Sequence, residues 1–166
     1  MKLIVRVFVF AGLVGTGIWL WLYFHPSPQE AIRRQLDQLA AAACFDGPEN
    51  VVVTGVAASK VASFFANEVR MNIEPRGFFE EDATRSDIAQ FCAALRARAG
   101  IRSLQVKFFD PIITLSTNNE SAEVELTVNA ETAGERHLLV QELKLTLKFV
   151  DKKWLIVRVE TVKTLN

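Results

Sequence analysis

Apolar positions along the chain change their spacing several times, and each change marks an element. Ile32, Leu36, Leu39, Ala40 and Ala43 recur on one helical stripe while Arg33, Arg34 and Asp37 turn away, until Asp46-Gly47-Pro48 ends the pattern. Ser27-Pro28-Gln29-Glu30 supplies the start: a cap, a proline suited to the first helical position, and the acidic end of a capping box. A second short helix is expected from Ala57 to Asn67, with Val61, Phe64 and Phe65 inward. Val69, Met71 and Ile73 then alternate with Arg70, Asn72 and Glu74, a strand period broken by Pro75-Arg76-Gly77. Thr84 to Asp87 reads as the cap of a further helix carrying Ile88, Phe91, Cys92 and Leu95. After Gly100 every segment alternates: Leu104 to Thr117, Ala122 to Thr132, His137 to Val150 and Trp154 to Leu165, four successive antiparallel strands. Asp110-Pro111 falls inside the first of them, and a proline that cannot donate to a ladder marks a bulge or bend.

Hairpin geometry turns these strands into faces. Centring one turn on Gly134-Glu135 pairs Val128 with Gln141, Leu126 with Leu143 and Glu125 with Lys144. A turn over Val150 to Lys153 puts Phe149 beside Trp154, Leu147 opposite Ile156 and Leu145 opposite Arg158. The inner face then holds Val124, Leu126, Val128, Leu143, Leu145, Leu147, Phe149, Trp154 and Ile156, and the same parity brings in Gln141, Arg158 and Glu160. Polar groups on an apolar face must pair, lie at an open rim or serve a ligand, because leaving them buried and unpaired costs several kcal/mol. These three residues are therefore candidate ligand-binding positions, with mutual pairing at the rim as the plainer reading. The outer face carries Glu123, Glu125, Thr127, Lys144, Thr146 and Lys148, interrupted by Val140, Leu155, Val157 and Val159. That apolar stripe is a candidate dimer interface, or is covered by the Met71 strand or a loop.

The first residues change the picture more than any motif does. Val7 to Phe24 is an uncharged run of 18 residues, nearly enough as a helix to span the hydrocarbon core of a bilayer. Trp19, Trp21 and Tyr23 crowd its far end, and Lys2 and Arg6 mark the near end as cytoplasmic. Residues 1–25 are thus expected to be a cytoplasmic tip and retained transmembrane anchor. Residues 26–166 are expected to form an extracytoplasmic domain, tethered by a single pass to a bacterial inner membrane. A cleaved signal peptide is the rival, but no small-x-small pair precedes His25-Pro26.

Half of the 166 residues are apolar, enough for one modest core. With Lys2 and Arg6 set aside, 17 basic residues (19 less two) face 19 acidic ones, a net of −2, and nothing suggests a nucleic-acid partner. His25 and His137 have no second ligand at i+3 or i+4, so no metal site is expected. The absence of a glycine-rich phosphate loop and of a Gly-x-Ser-x-Gly elbow leaves no cofactor implied. Cys44 and Cys92 lie on or beside apolar stripes; they read as buried small side chains, or as a disulfide if their helices cross in an oxidising compartment.

The order helix, short helix, strand, helix and four long strands, closing on Asp151-Lys152-Lys153-Trp154-Leu155-Ile156-Val157, resembles the nuclear transport factor 2-like superfamily, also called SnoaL-like or ketosteroid-isomerase-like. The resemblance runs from Ser27 to Asn166 and implies an α+β domain whose cone-shaped, curved antiparallel sheet packs on the N-terminal helices around a pocket. Members of that superfamily include isomerases and dehydratases, and also membrane-anchored scaffold subunits of secretion machines. Ketosteroid isomerases among them use a tyrosine and a protonated aspartate as an oxyanion hole, whereas the one tyrosine here is Tyr23, in the apolar run. Asp110 at the bend is left as a weak candidate general base, its plainer role being to cap the bulge. The expectation is a membrane-anchored, non-catalytic interaction domain, either homodimeric or bound to an envelope protein. The alternative is a small-molecule-binding or isomerase- or dehydratase-like pocket protein.

Overall fold

The computed structural model describes residues 27–74, 82–98, 101–133 and 138–162, together with Thr16. The expected anchor, residues 1–25, otherwise lies outside the described residues; among those described, no helix is long and apolar enough to cross a membrane. The chain divides into Met1–Ala31 and Ile32–Asn166. The second unit holds the sheet and the core.

Helix α1 (Pro28–Ala43) starts as its sequence dictates, with the Glu30 amide donating to Ser27 Oγ at 3.2 Å. It buries Ile32, Leu36 and Leu39. It ends at Ala43, the last residue of the expected stripe, and Phe45 leaves the helical path to pair with Leu104 in a two-residue strand, β1 (Phe45–Asp46). Gly47 follows at φ +81°, a left-handed turn that favours glycine. Helix α2 (Val51–Ala62) begins six residues before the expected Ala57, capped by Asn50, whose Oδ1 accepts from the Val53 amide at 2.9 Å. It buries Thr54, Ala58, Val61 and Ala62 and leaves Val51, Val52, Val53 and Val56 exposed, so no apolar-polar alternation announced it. Strand β2 (Phe65–Asn72) therefore claims Phe65, which the periodicity assigns to a helix, and buries Val69 and Met71 as alternation required. Strand β3 (Asp82–Thr84) leads into helix α3 (Arg85–Ala97), whose Thr84–Asp87 capping box is complete.

The four long strands are β4 (Ser103–Leu115), β5 (Ser121–Ala133), β6 (Leu138–Val150) and β7 (Lys153–Thr161). The sheet runs β1-β4-β5-β6-β7-β2-β3 and is mixed rather than wholly antiparallel, since β2 lies parallel to β7. No hairpin joins those two strands, so their relative direction is set by how α2 delivers the chain to the edge of β7. It is a curved, unclosed sheet packed on helices. The β5–β6 register is the expected one, including Val128 with Gln141, Leu126 with Leu143 and Glu125 with Lys144. The bend also falls as expected: β4 slips register between Phe109 and Ile112, with Asp110 at φ 50°. Inward parity passes from Phe108 to Ile113, whose partners are Val128 and Val124.

The last hairpin corrects the sequence reading. Asp151 and Lys152, at φ 49° and 64°, form a two-residue turn of the kind that matches strand twist. Phe149 faces Trp154 and Leu147 faces Ile156, as expected. One residue further a bulge inserts Val157, so Thr146 faces Arg158 and Leu145 faces Val159. A single extra residue reverses every later side chain. Val159 therefore points inward, 5% exposed, and Arg158 and Glu160 turn outward.

Candidate functional site

Between the helices and the inner face of the sheet lies a cavity of ≈ 220 Å³. Leu39 of α1, Val61 of α2, and Ile88, Phe91 and Cys92 of α3 form one wall. Phe65, Met71 and Ile73 close one side, and Phe108, Leu126, Val128, Leu143, Leu145, Ile156 and Val159 complete the sheet wall. Every one of these residues except Cys92 and Met71 carries a hydrocarbon side chain, so among the described residues a ligand inside meets no charged or amide group. A dry, enclosed apolar cavity of roughly 150 Å³ holds benzene or xenon; this one is larger and stands about half open to the surface.

The sequence-derived candidates fall elsewhere. Arg158 and Glu160 pair with each other at 2.8 Å on the outer face, where the bulge has turned them. They continue a row of charge across the sheet: Arg70 lies near Asp82 at 3.6 Å, and Lys144 meets Glu123 at 2.9 Å. The Lys144 ammonium is held above its ordinary pKa, first by its hydrogen bond to Glu123 and the charge of that carboxylate, then by the charges of Glu125 and Glu160. Gln141 alone of the three polar candidates stays on the inner face, yet it does not line the cavity. Its Nε2 donates to Glu74 O at 2.6 Å and to Thr161 Oγ1 at 2.8 Å. Asp110 borders a separate cavity of ≈ 250 Å³ on the outer face, with Glu125, Thr127 and Glu142. It is absent from the lining of the apolar cavity.

Of the four valines and leucines expected to form a dimer stripe, Val140 is exposed, Leu155 and Val157 are half-buried, and Val159 belongs to the core. The stripe therefore loses one member to the bulge. Both cysteines are free thiols. The Cys44 sulfur is engaged by strand β4, accepting from the Val106 amide at 3.2 Å and donating to Val106 O at 3.6 Å. Cys92 faces the cavity, where burial pushes its thiol pKa up and the Arg96 charge offsets only part of the rise. It is thus a poor nucleophile at neutral pH.

Sequence reasoning missed Arg96. Its guanidinium is tied to Glu49 at 2.8 Å, to Ala42 O at 2.6 Å and to Cys44 O at 3.1 Å, and lies 4.9 Å from the centre of the Phe45 ring. It thereby satisfies the last carbonyls of α1, which have no partner within the helix. The only available signal was an arginine in the last turn of an otherwise apolar helical face.

A curved, unclosed mixed sheet packed on helices is a fold of the nuclear transport factor 2-like kind. Comparisons with family models and with curated proteins find no match. Solved structures do match. A candidate scytalone dehydratase from Novosphingobium aromaticivorans is 18% identical with a TM-score of 0.62, the alignment covering 82% of this chain and 84% of that one. A candidate aromatic ring hydroxylase from the same organism is 14% identical with a TM-score of 0.62, over 86% and 93%. A protein from that organism described as NTF2-like with a cystatin-like fold is 15% identical with a TM-score of 0.59, over 90% and 88%. At these identities the likeness is one of fold.

Proposed function

We propose that this chain is a membrane-tethered, non-catalytic binding domain whose cone takes up a small apolar molecule. The observation that carries the reading is the cavity wall: it offers volume and hydrocarbon, and among the described residues its one ionisable side chain is the Cys92 thiol, whose pKa burial raises. A dehydratase or hydroxylase activity, as suggested for two of the fold neighbours, would need an acid or base within hydrogen-bond reach of its substrate. Gln141, Arg158, Glu160 and Asp110 all lie outside the cavity lining. The tether and its orientation rest on the uncharged run Val7 to Phe24 behind Lys2 and Arg6, which supports a single pass with the domain on the extracytoplasmic side.

Benzene tests the reading. At ten times its dissociation constant, a ligand of the native state raises stability by about 1.4 kcal/mol. Benzene is expected to raise the melting temperature of the wild type and to lose that effect in Val128→Phe, whose ring fills the cavity. Phenol is expected to bind worse, because its hydroxyl would go unpaired. No benzene effect in the wild type, or a phenol effect at least as large, would end this reading.

A second reading, an interaction domain, is favoured by α2. Val51, Val52 and Val56 are 88%, 74% and 66% exposed on one short helix, and such exposure marks contact surfaces. Under this reading the full chain self-associates or binds an envelope protein, and Val52→Lys disrupts that association while benzene uptake is unchanged.

A further inference from the structure

The end of the sheet at which β6 turns into β7 carries basic charge that the domain does not neutralise. Asp151 and Lys152 form the turn at φ 49° and 64°, and Lys148, Lys152 and Lys153 are all exposed around it. Among the described residues none of these three lysines has an ion-pair partner, whereas Arg70, Lys144 and Arg158 elsewhere on the sheet each meet a carboxylate. Of the nearby acids, Asp151 lies in the turn itself, and Glu120, whose carbonyl accepts from the Phe149 amide at 2.8 Å, has its carboxylate engaged by Asn118 at 2.7 Å. Among the lysines, Phe149 and Val150 stand 46% and 44% exposed, and the Phe149 ring is braced 5.2 Å from that of the buried Trp154. A turn of fixed geometry thus presents apolar side chains beside ammonium groups, a combination that suits the boundary between anionic headgroups and acyl chains.

This end of the sheet is also where the domain begins. Register joins Leu115 to Ala122, Ala122 to Leu147 and Leu147 to Ile156 across the turn end, and Phe45 to Leu104 and Leu104 to Thr132 across the other. Helix α1 runs from one end to the other: Gln35 Nε2 donates to Trp154 O at 2.6 Å, while Cys44, just past its last residue, is bonded to Val106. The unit that starts at Ile32 therefore starts at the turn end. In the sequence Ile32 comes eight residues after Phe24, the last of the uncharged run, a stretch of chain that spans at most about 29 Å. So short a tether brings the turn end to a bilayer ahead of the other end, which lies the length of a 13-residue strand away, about 43 Å. We propose that the β6–β7 turn docks on an anionic lipid surface, with Lys148, Lys152 and Lys153 on the headgroups and the Phe149 ring at the acyl boundary. The docking rests on the membrane tether proposed above, and its test separates the two.

The full chain is reconstituted in nanodiscs of phosphatidylcholine and in nanodiscs of phosphatidylcholine with phosphatidylglycerol, each carrying a lipid spin-labelled at its headgroup. Paramagnetic relaxation of the Phe149 and Val150 amides is compared with that of Leu104 and Thr132 at the far end. The expected result is enhancement at Phe149 and Val150 in the anionic discs, lost on adding salt, with Leu104 and Thr132 unaffected. In the double variant Lys152→Asn, Lys153→Gln, asparagine tolerates the left-handed φ and both sites are exposed, so the domain is expected to fold. Its ratio of docked to undocked chains should fall about thirtyfold, because each basic side chain at an anionic surface contributes about a factor of five. Equal enhancement in neutral discs, enhancement centred on Leu104 and Thr132, or a double variant indistinguishable from wild type would overturn the docking. Relaxation from a spin label on a second copy of the chain, in place of the lipid, would assign the turn to self-association and overturn it too. Flotation with vesicles after an alkaline carbonate wash reads the tether separately. A chain that washes off sinks the tether and the docking with it, whereas a chain that stays bound without the headgroup signal sinks the docking alone.

Discussion

Arg96 is the side chain whose loss should be felt most. Its side chain is 3% exposed and its partner Glu49 is 20% exposed. Replacing it with methionine keeps much of the volume of the stem but strands the Glu49 carboxylate and the carbonyls of Ala42 and Cys44. Breaking a buried ion pair from one side costs about 3–5 kcal/mol; because Glu49 keeps some contact with water, we expect the lower end, about 3 kcal/mol. For a domain of this size that corresponds to a fall of roughly 6–12 °C in melting temperature. Thermal and urea unfolding of the wild type, Arg96→Met, Glu49→Gln and the double variant form a cycle that isolates the pair. Arg96→Met should lower the urea midpoint with little change in slope, and Glu49→Gln should cost less when added to Arg96→Met than when made in the wild type. A loss under about 1 kcal/mol for Arg96→Met, or strict additivity in the double variant, would show that the guanidinium is not the clamp at the end of α1.

The bulge at Val157 can be tested by placing charge on either side of it. Val159→Glu buries an unpaired carboxylate against Leu145 and should cost more than about 4 kcal/mol, whereas Arg158→Val should stay within about 1 kcal/mol of wild type; urea midpoints in the reverse order would restore an unbulged hairpin. The capping box of α3 gives a pH signature. Hydrogen bonds from the Thr84 side chain and then the Thr84 amide hold Asp87 below its usual value of 3.8. A lowered folded-state pKa contributes stability that is present above the unfolded value and lost as pH falls through the folded one. The melting-temperature gap between wild type and Asp87→Asn should accordingly be flat above about pH 5 and close below the usual value; a gap that widens on acidification contradicts the cap.

Much of this protein was written locally. The Thr84–Asp87 cap, the start of α1 at Ser27-Pro28, the bend at Asp110-Pro111 and the whole β5–β6 register follow from residues close together in sequence, because caps, bulges and hairpin alternation are short-range steric and hydrogen-bonding events. The start of α2 was equally local in its Asn50 cap, but the valines after it have no polar side to betray a helix. What tertiary structure alone decided begins at Val157. A residue added to one strand is invisible in a pattern of alternating valines, yet it sends Val159 into the core and Arg158 and Glu160 out of it. The parallel placement of β2, the grip of Arg96 on the end of α1 and the Gln141–Thr161–Glu74 tie all join residues distant in sequence. Such contacts are selected by which faces can be buried together, so they leave no period to read. The candidate site followed the same rule: its apolar wall was legible strand by strand, and the exclusion of every polar candidate from it was settled only when the faces closed on one another.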